Sequence, residues 1–128
     1  MKIYSHYGFS EFIILVGYKG YMIKEYFANY NMRNQNVQFN TADGTVKFFG
    51  NQEKYTITCV NIHKDDQTGG ALLRAKPYLN NEQFMLTYSD TLADVNINEV
   101  LEFHNSNPRT ICTMTSVIPE GKYGMIEF

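Results

Sequence analysis

Apolar positions along the chain follow two different periods, and each change of period marks an element. Ile3, Tyr4 and Tyr7 stand at helical spacing ahead of Gly8, a residue suited to ending a helix, with no capping residue before them. The unbroken apolar run 12–16 stops at Gly17 and predicts a buried parallel strand. Met22, Ile23, Tyr26, Phe27 and Tyr30 then trace one face of a helix, which makes half of a βαβ unit. Residues 37–40 and 45–49 flank Asp43-Gly44, a hairpin turn signal, and 55–60 alternate as a further strand. An antiparallel patch therefore interrupts the βα rhythm.

Residues 61–70 are polar and turn-rich, which predicts a long functional loop, and 71–76 predict a short helix that Pro77 stops or kinks. The nearly continuous apolar run 84–90 predicts a strand that delivers Asp90 at its carboxyl end, where open α/β sheets bind ligands. Asn96, with Glu99 three residues on, gives a capping-box start to a helix over 97–104 that Asn107-Pro108 ends. Residues 110–118 alternate as a strand, 119–121 turn, and 123–128 begin another strand. These elements predict an α/β chain, three-layered and Rossmann-like, with a mostly parallel sheet that is incomplete at both ends. Internal repeats and linkers are absent from the sequence.

Composition narrows the partners. A chain of 128 residues with 44% hydrophobic content supports one core rather than two. A formal charge of -2 provides no basic field for nucleic-acid phosphates, so no nucleic acid is expected. Cys59 and Cys112 fall in strand-like runs without Cys-x-x-Cys spacing, and two buried reduced thiols fit a cytoplasmic protein. The start carries no apolar signal core and run 12–16 is too short to span a bilayer, so secretion and membrane anchoring are not expected. The 10 Tyr and 9 Phe, with no Trp, read as core and pocket lining. His6, His63 and His104 lie on three different elements without metal-ligand spacing, which leaves zinc chemistry and a Ser-His-Asp triad unsupported. Gly17-x-x-Gly20 reads as a tight βα turn rather than a phosphate loop.

Three blocks carry a resemblance: the run from Gly17 to Tyr30, GYKGYMIKEYFANY, the triplet Thr68-Gly69-Gly70, and the run from Thr87 to Val95, TYSDTLADV. In that order they resemble the sugar-phosphate nucleotidylyltransferase family, and within it the glucose-1-phosphate cytidylyltransferases. The resemblance covers residues 1–128 and about the middle half of a family member, so it implies the central part of a single nucleotidyltransferase domain. The family's Gly-Gly-x-Gly-Thr-Arg loop, its Lys-Pro segment and its second metal-binding aspartate match nothing here. The 128 residues alone are therefore expected to be catalytically incomplete, since losing even one preorganised charge-stabilising donor costs on the order of a hundredfold in rate.

The resemblance implies transfer of a cytidylyl group from CTP to a sugar 1-phosphate, giving a CDP-sugar and pyrophosphate. Such a reaction needs positioning and charge neutralisation more than covalent help. Mg2+ is the implied cofactor, with Asp90 as its ligand, because magnesium takes one or two carboxylates plus substrate phosphates. Position alone leaves Asp90 open to a second reading, as the cap of a turn. Asp94 fits the family pattern too but stays outside the metal site. Asp66, Thr68, Gly69, Gly70 and Ser89 are the implied nucleotide contacts, with Gln67 at the rim, because glycines let backbone groups approach a base or a phosphate. Gly124 in Lys122-Tyr123-Gly124 is the implied sugar contact, against the alternative of an ordinary strand-entry turn, and no catalytic residue is identified.

Three positions depart from the family. Ala71 stands where an arginine commonly follows the two glycines, and Ser89 and Thr91 replace glycines beside the metal aspartate. Another nucleotide, another phosphorylated acceptor, or a noncatalytic assembly partner are the alternatives. An open sheet edge with an apolar patch also predicts a homo-oligomer.

Overall fold

The computed structural model describes residues 1–51 and 53–117. It divides into two compact units, Met1–Tyr88 and Ser89–Phe128. The first holds, in order, α1 (Lys2–His6), β1 (Glu11–Val16), α2 (Gly20–Ala28), α3 (Tyr30–Asn34), β2 (Asn36–Phe39), β3 (Val46–Phe49), β4 (Thr56–Asn61), α4 (Gln67–Ala75) and a 3-10 turn at Lys76–Tyr78. The second unit holds α5 (Ile97–Asn105).

β1 and β4 are parallel, in register from Glu11 opposite Thr56 to Val16 opposite Asn61. Ile13, Ile14 and Val16 on one strand and Ile57, Thr58 and Val60 on the other are β-branched, which suits a pleated, covered surface. Val16 and Val60 are buried, and α4 packs against both strands. Ala71 and Ala75, one turn apart, are the buried residues of α4, so the buried side chains of the helix are methyl groups. The chain is thus α/β with a parallel sheet, and among the described residues that sheet has two strands.

β2 and β3 form a separate antiparallel hairpin, where sequence signals placed it, with Asn36 opposite Phe49 and Phe39 opposite Val46. Gly44 takes φ +73° in its turn, a conformation glycine adopts freely. The Asp43 carboxylate accepts Thr45 N–H at 2.9 Å and the Thr45 hydroxyl at 2.8 Å, which hold its pKa below the usual carboxylate range.

Several expectations need correction. The helical face running to Tyr30 is broken at Asn29, whose side-chain amide donates to the Glu25 carbonyl at 3.0 Å, and Met22, Ile23 and Tyr26 on that face are exposed. The predicted loop 61–70 is shorter, since α4 already begins at Gln67. Its alanines anchor the helix and offset the weak helix propensity of Gly69 and Gly70. The predicted strand over 84–90 is not formed, and the boundary between the units falls within it. The predicted strand over 110–118 is likewise irregular through Val117. A strand exists by pairing, and neither segment has a ladder partner among the described residues; Leu86 and Tyr88 are exposed and Ile111 is 100% exposed. Cys112 is therefore exposed rather than buried, while Cys59 is half-buried in β4, and both are free thiols. The expected turn at 119–121 and strand at 123–128 lie outside the described residues.

In the second unit the helix start matches its signal. Asn96 Oδ1 accepts from Asn98 N–H at 3.1 Å and Glu99 N–H at 3.4 Å, and Asn96 Nδ2 donates to Glu99 Oε1 at 2.8 Å. Among the described residues no helix is long and apolar enough to cross a membrane.

Tyr30 ties distant parts of the first unit together. Its hydroxyl donates to Glu53 Oε2 at 2.8 Å, and Glu53 Oε1 pairs with Lys2 Nζ at 3.3 Å. The bond to Glu53, aided by burial, pushes the phenol up from 10.0 to about 12. The folded chain holds this proton more tightly than the unfolded one. The bond's contribution is therefore intact below pH 10 and disappears as pH rises toward 12. Urea melts should show Tyr30→Phe losing less stability than the parent over that window; parallel losses would refute the link.

Candidate functional site

Both parallel strands run into loops at their carboxyl ends, the place where α/β sheets present ligand-binding groups. After β1, Gly20 N–H donates to Gly17 O at 2.9 Å and Lys19 takes φ +56°. Gly17-x-x-Gly20 is thus the tight βα turn its spacing suggests. Its second glycine is required by packing, because a Cβ on Gly20 would stand 2.8 Å from Val16 Cβ.

After β4, Ile62 N–H donates to Val16 O at 3.0 Å, and the chain then turns at Asp66 to enter α4. The Asp66 carboxylate accepts His63 N–H at 2.6 Å and a two-pronged grip from the Arg74 guanidinium, through Nε to Oδ2 and through a terminal nitrogen to Oδ1 at 3.0 Å. The guanidinium first, and then the His63 N–H, hold Asp66 below the ordinary aspartate range. This support is therefore present at neutral pH and is lost only as the medium turns acid through the lowered value. Sequence reading overlooked Arg74. The available signal was an acid at the helix entrance and an arginine eight residues on, which share a helix face.

The two glycines of the triplet differ in what surrounds them. A Cβ on Gly70 would lie 3.2 Å from Asp66 Cβ, so Gly70 makes room for the carboxylate. A Cβ on Gly69 would meet nothing within 4 Å, and its φ is not positive. Among the described residues neither packing nor backbone geometry demands glycine at 69. Thr68 and Gly69 are exposed in the first turn of α4, and Asp66 and Gly70 are half-buried. Ala71 is buried, so an arginine there would have to enter the space that the helix methyl groups fill.

Ser89 and Asp90 open the second unit as an exposed turn rather than as a strand end. The Asp90 carboxylate accepts from the Thr91 hydroxyl at 3.4 Å, and Asp90 makes no ion pair among the described residues. No group of three or more metal-ligating side chains occurs among the described residues. A hard cation here would take one protein carboxylate and complete its shell with phosphate and water oxygens, a donor set that magnesium accepts. Asp94 is exposed as well. Asp66, Thr68, Gly69 and Gly70 are thus brought together in the first unit, Ser89 and Asp90 in the second, and Gly124 lies outside the described residues.

No family model matches the chain. Curated relatives do. The chain is 36% identical over 126 residues to a probable glucose-1-phosphate cytidylyltransferase of Bacillus subtilis, a match covering 98% of this chain and 49% of the relative. It is 37% identical over 129 aligned residues to the glucose-1-phosphate cytidylyltransferase of Salmonella typhimurium, covering 99% of this chain and 50% of the relative. The same figures hold for the enzyme of Salmonella typhi. The chain spans about half the length of the curated relatives it matches.

Proposed function

The chain is homologous to about half of a glucose-1-phosphate cytidylyltransferase, and from that premise we propose that it takes part in the same chemistry: cytidylyl transfer from CTP to a sugar 1-phosphate. In this reaction the sugar phosphate oxygen attacks the α-phosphate of CTP and pyrophosphate leaves. Negative charge crowds the reacting centre, so the protein's task is to orient the two phosphorylated substrates and neutralise that charge.

The observation that carries the reading is the bare Gly69. Glycine within a helix costs about 1 kcal/mol against alanine, and here nothing among the described residues requires it. A flat base lying against the first turn of α4 explains the missing side chain. Thr68, Gly69 and Gly70 then offer their backbone groups to the cytosine, with Asp66 and Gln67 beside them. Ser89, in the second unit, is a nucleotide contact by the same resemblance. Asp90 is the residue that would hold Mg2+, which when bound neutralises phosphate charge. Gly124 would face the sugar. A reaction that draws on CTP suits the cytoplasm.

The buried Ala71 favours attention to a second nucleotide, because the family's arginine contact cannot be made from that position. Calorimetric titration of the 128-residue chain with CTP, UTP, GTP and dTTP, with and without Mg2+, decides between them. CTP with Mg2+ is expected to bind tightest; equal affinities, or none for CTP, would sink the cytidylyl assignment.

A further inference from the structure

Gln67 opens α4 at φ +49°, in the left-handed region that residues with a Cβ enter only with strain. Glutamine lacks the short side chain through which asparagine or aspartate relieves that strain locally. A residue held there needs neighbours that over-determine its position. Those neighbours are Asp66, immediately before it, and Arg74, two helical turns on. Three donors from two sides converge on one carboxylate: His63 N–H and two guanidinium nitrogens of Arg74. Asp66 is also the residue whose carbonyl receives the first helical bond, from Gly70 N–H at 2.9 Å. The carboxylate is therefore fixed at the helix entrance, with Gln67 on one side and Gly70 leaving the space that a Cβ would crowd.

We propose that Arg74 is a positioning residue for the nucleotide: by gripping Asp66 it holds the left-handed turn at Gln67 and keeps the bare Gly69 backbone presented to the base. The role rests on the reading of Gly69 as a base contact. Asp66 then supports that contact rather than making it, since its side chain is 15% exposed and both its oxygens are engaged. Arg74 acts through Asp66.

Four variants of the full 128-residue chain test this: Arg74→Ala, Arg74→Lys, Gln67→Gly and the double variant Gln67→Gly/Arg74→Ala. CTP affinity with Mg2+ is measured by calorimetry and the melting temperature by circular dichroism. Arg74→Ala should weaken CTP binding about tenfold. Arg74→Lys should recover only part, because an ammonium lacks the two-pronged fork. Glycine is at ease at φ +49°, so adding Gln67→Gly to Arg74→Ala should restore most of the affinity and raise the melting temperature by about 3 °C. Unchanged affinity in Arg74→Ala, or a double variant that binds no better than the single one, overturns the proposal. Thermal rescue in a protein whose parent binds no nucleotide overturns the site reading and the positioning role with it, and leaves the grip as a device of the fold.

Discussion

Alanine in place of Gly20 is expected to lower the unfolding free energy by about 1–3 kcal/mol, the range for forcing an extra methyl into a packed site. Its Cβ would stand 2.8 Å from Val16 Cβ and 3.0 Å from Val16 Cγ2, and Val16 is 2% exposed at the carboxyl end of the β1 and β4 pairing. Neither partner can move aside cheaply. Val16 is held through its carbonyl by Ile62 N–H, and Gly20 is held by its own N–H to Gly17 O. α2 must lift from the strand, or the Gly17 turn must open. Trimming Val16 to alanine in the same chain should give little relief, because the nearest atom is the Cβ that alanine keeps. Urea denaturation followed by circular dichroism would show the loss as a lower midpoint at constant slope. Stability equal to the parent would mean that the close approach of α2 to β1 is not required.

Gly69→Ala should move two observables in opposite directions. In the first turn of α4 a methyl at this position meets nothing within 4 Å, so alanine should stabilise the chain by about 0.5–1 kcal/mol through better helix propensity. The same methyl would occupy the surface proposed for the base and should weaken nucleotide binding about tenfold or more, as an added methyl does in a fitted pocket. Gly70→Ala makes the control, because its Cβ would press on Asp66 at 3.2 Å and should destabilise rather than stabilise. If Gly69→Ala gains stability and binds CTP as well as the parent does, the bare position is not a nucleotide contact.

What the sequence disclosed follows from the range of the interactions involved. The hairpin turn at Asp43-Gly44 and the Asn96 cap are set by neighbours within a few residues, and each is found where the pattern places it; the apolar runs 12–16 and 55–60 are found as strands because each supplies the other's ladder partner. Residues 84–90 carry equally clear strand chemistry, yet a strand needs a partner, and the pattern of one segment cannot supply it. The break at Asn29 escaped notice because apolar spacing continues through it, while the side-chain bond that ends α2 leaves no trace in hydrophobicity. At the candidate site, Gly69 and Gly70 look alike in sequence. Only their surroundings separate one that accommodates Asp66 from one left bare. Asp90 was legible as a carboxylate between an apolar run and a helix, but its setting is an exposed turn. Arg74 became informative only through the fork it makes with Asp66.

The hairpin also bears on how the sheet assembles. Each residue of β1 pairs with one 45 positions further along, Glu11 with Thr56 and Val16 with Asn61, so the parallel ladder requires closing a long stretch of chain. The entropy lost on closure grows with the length of freely moving chain. β2 and β3 lie wholly inside that stretch and bring Asn36 opposite Phe49 through contacts that are local in sequence. A hairpin already formed removes the residues it spans from the free loop and draws the start of β4 toward the end of β1. The ribbon, exposed as it is, thereby acts as a shortcut in chain length for the only parallel pairing among the described residues.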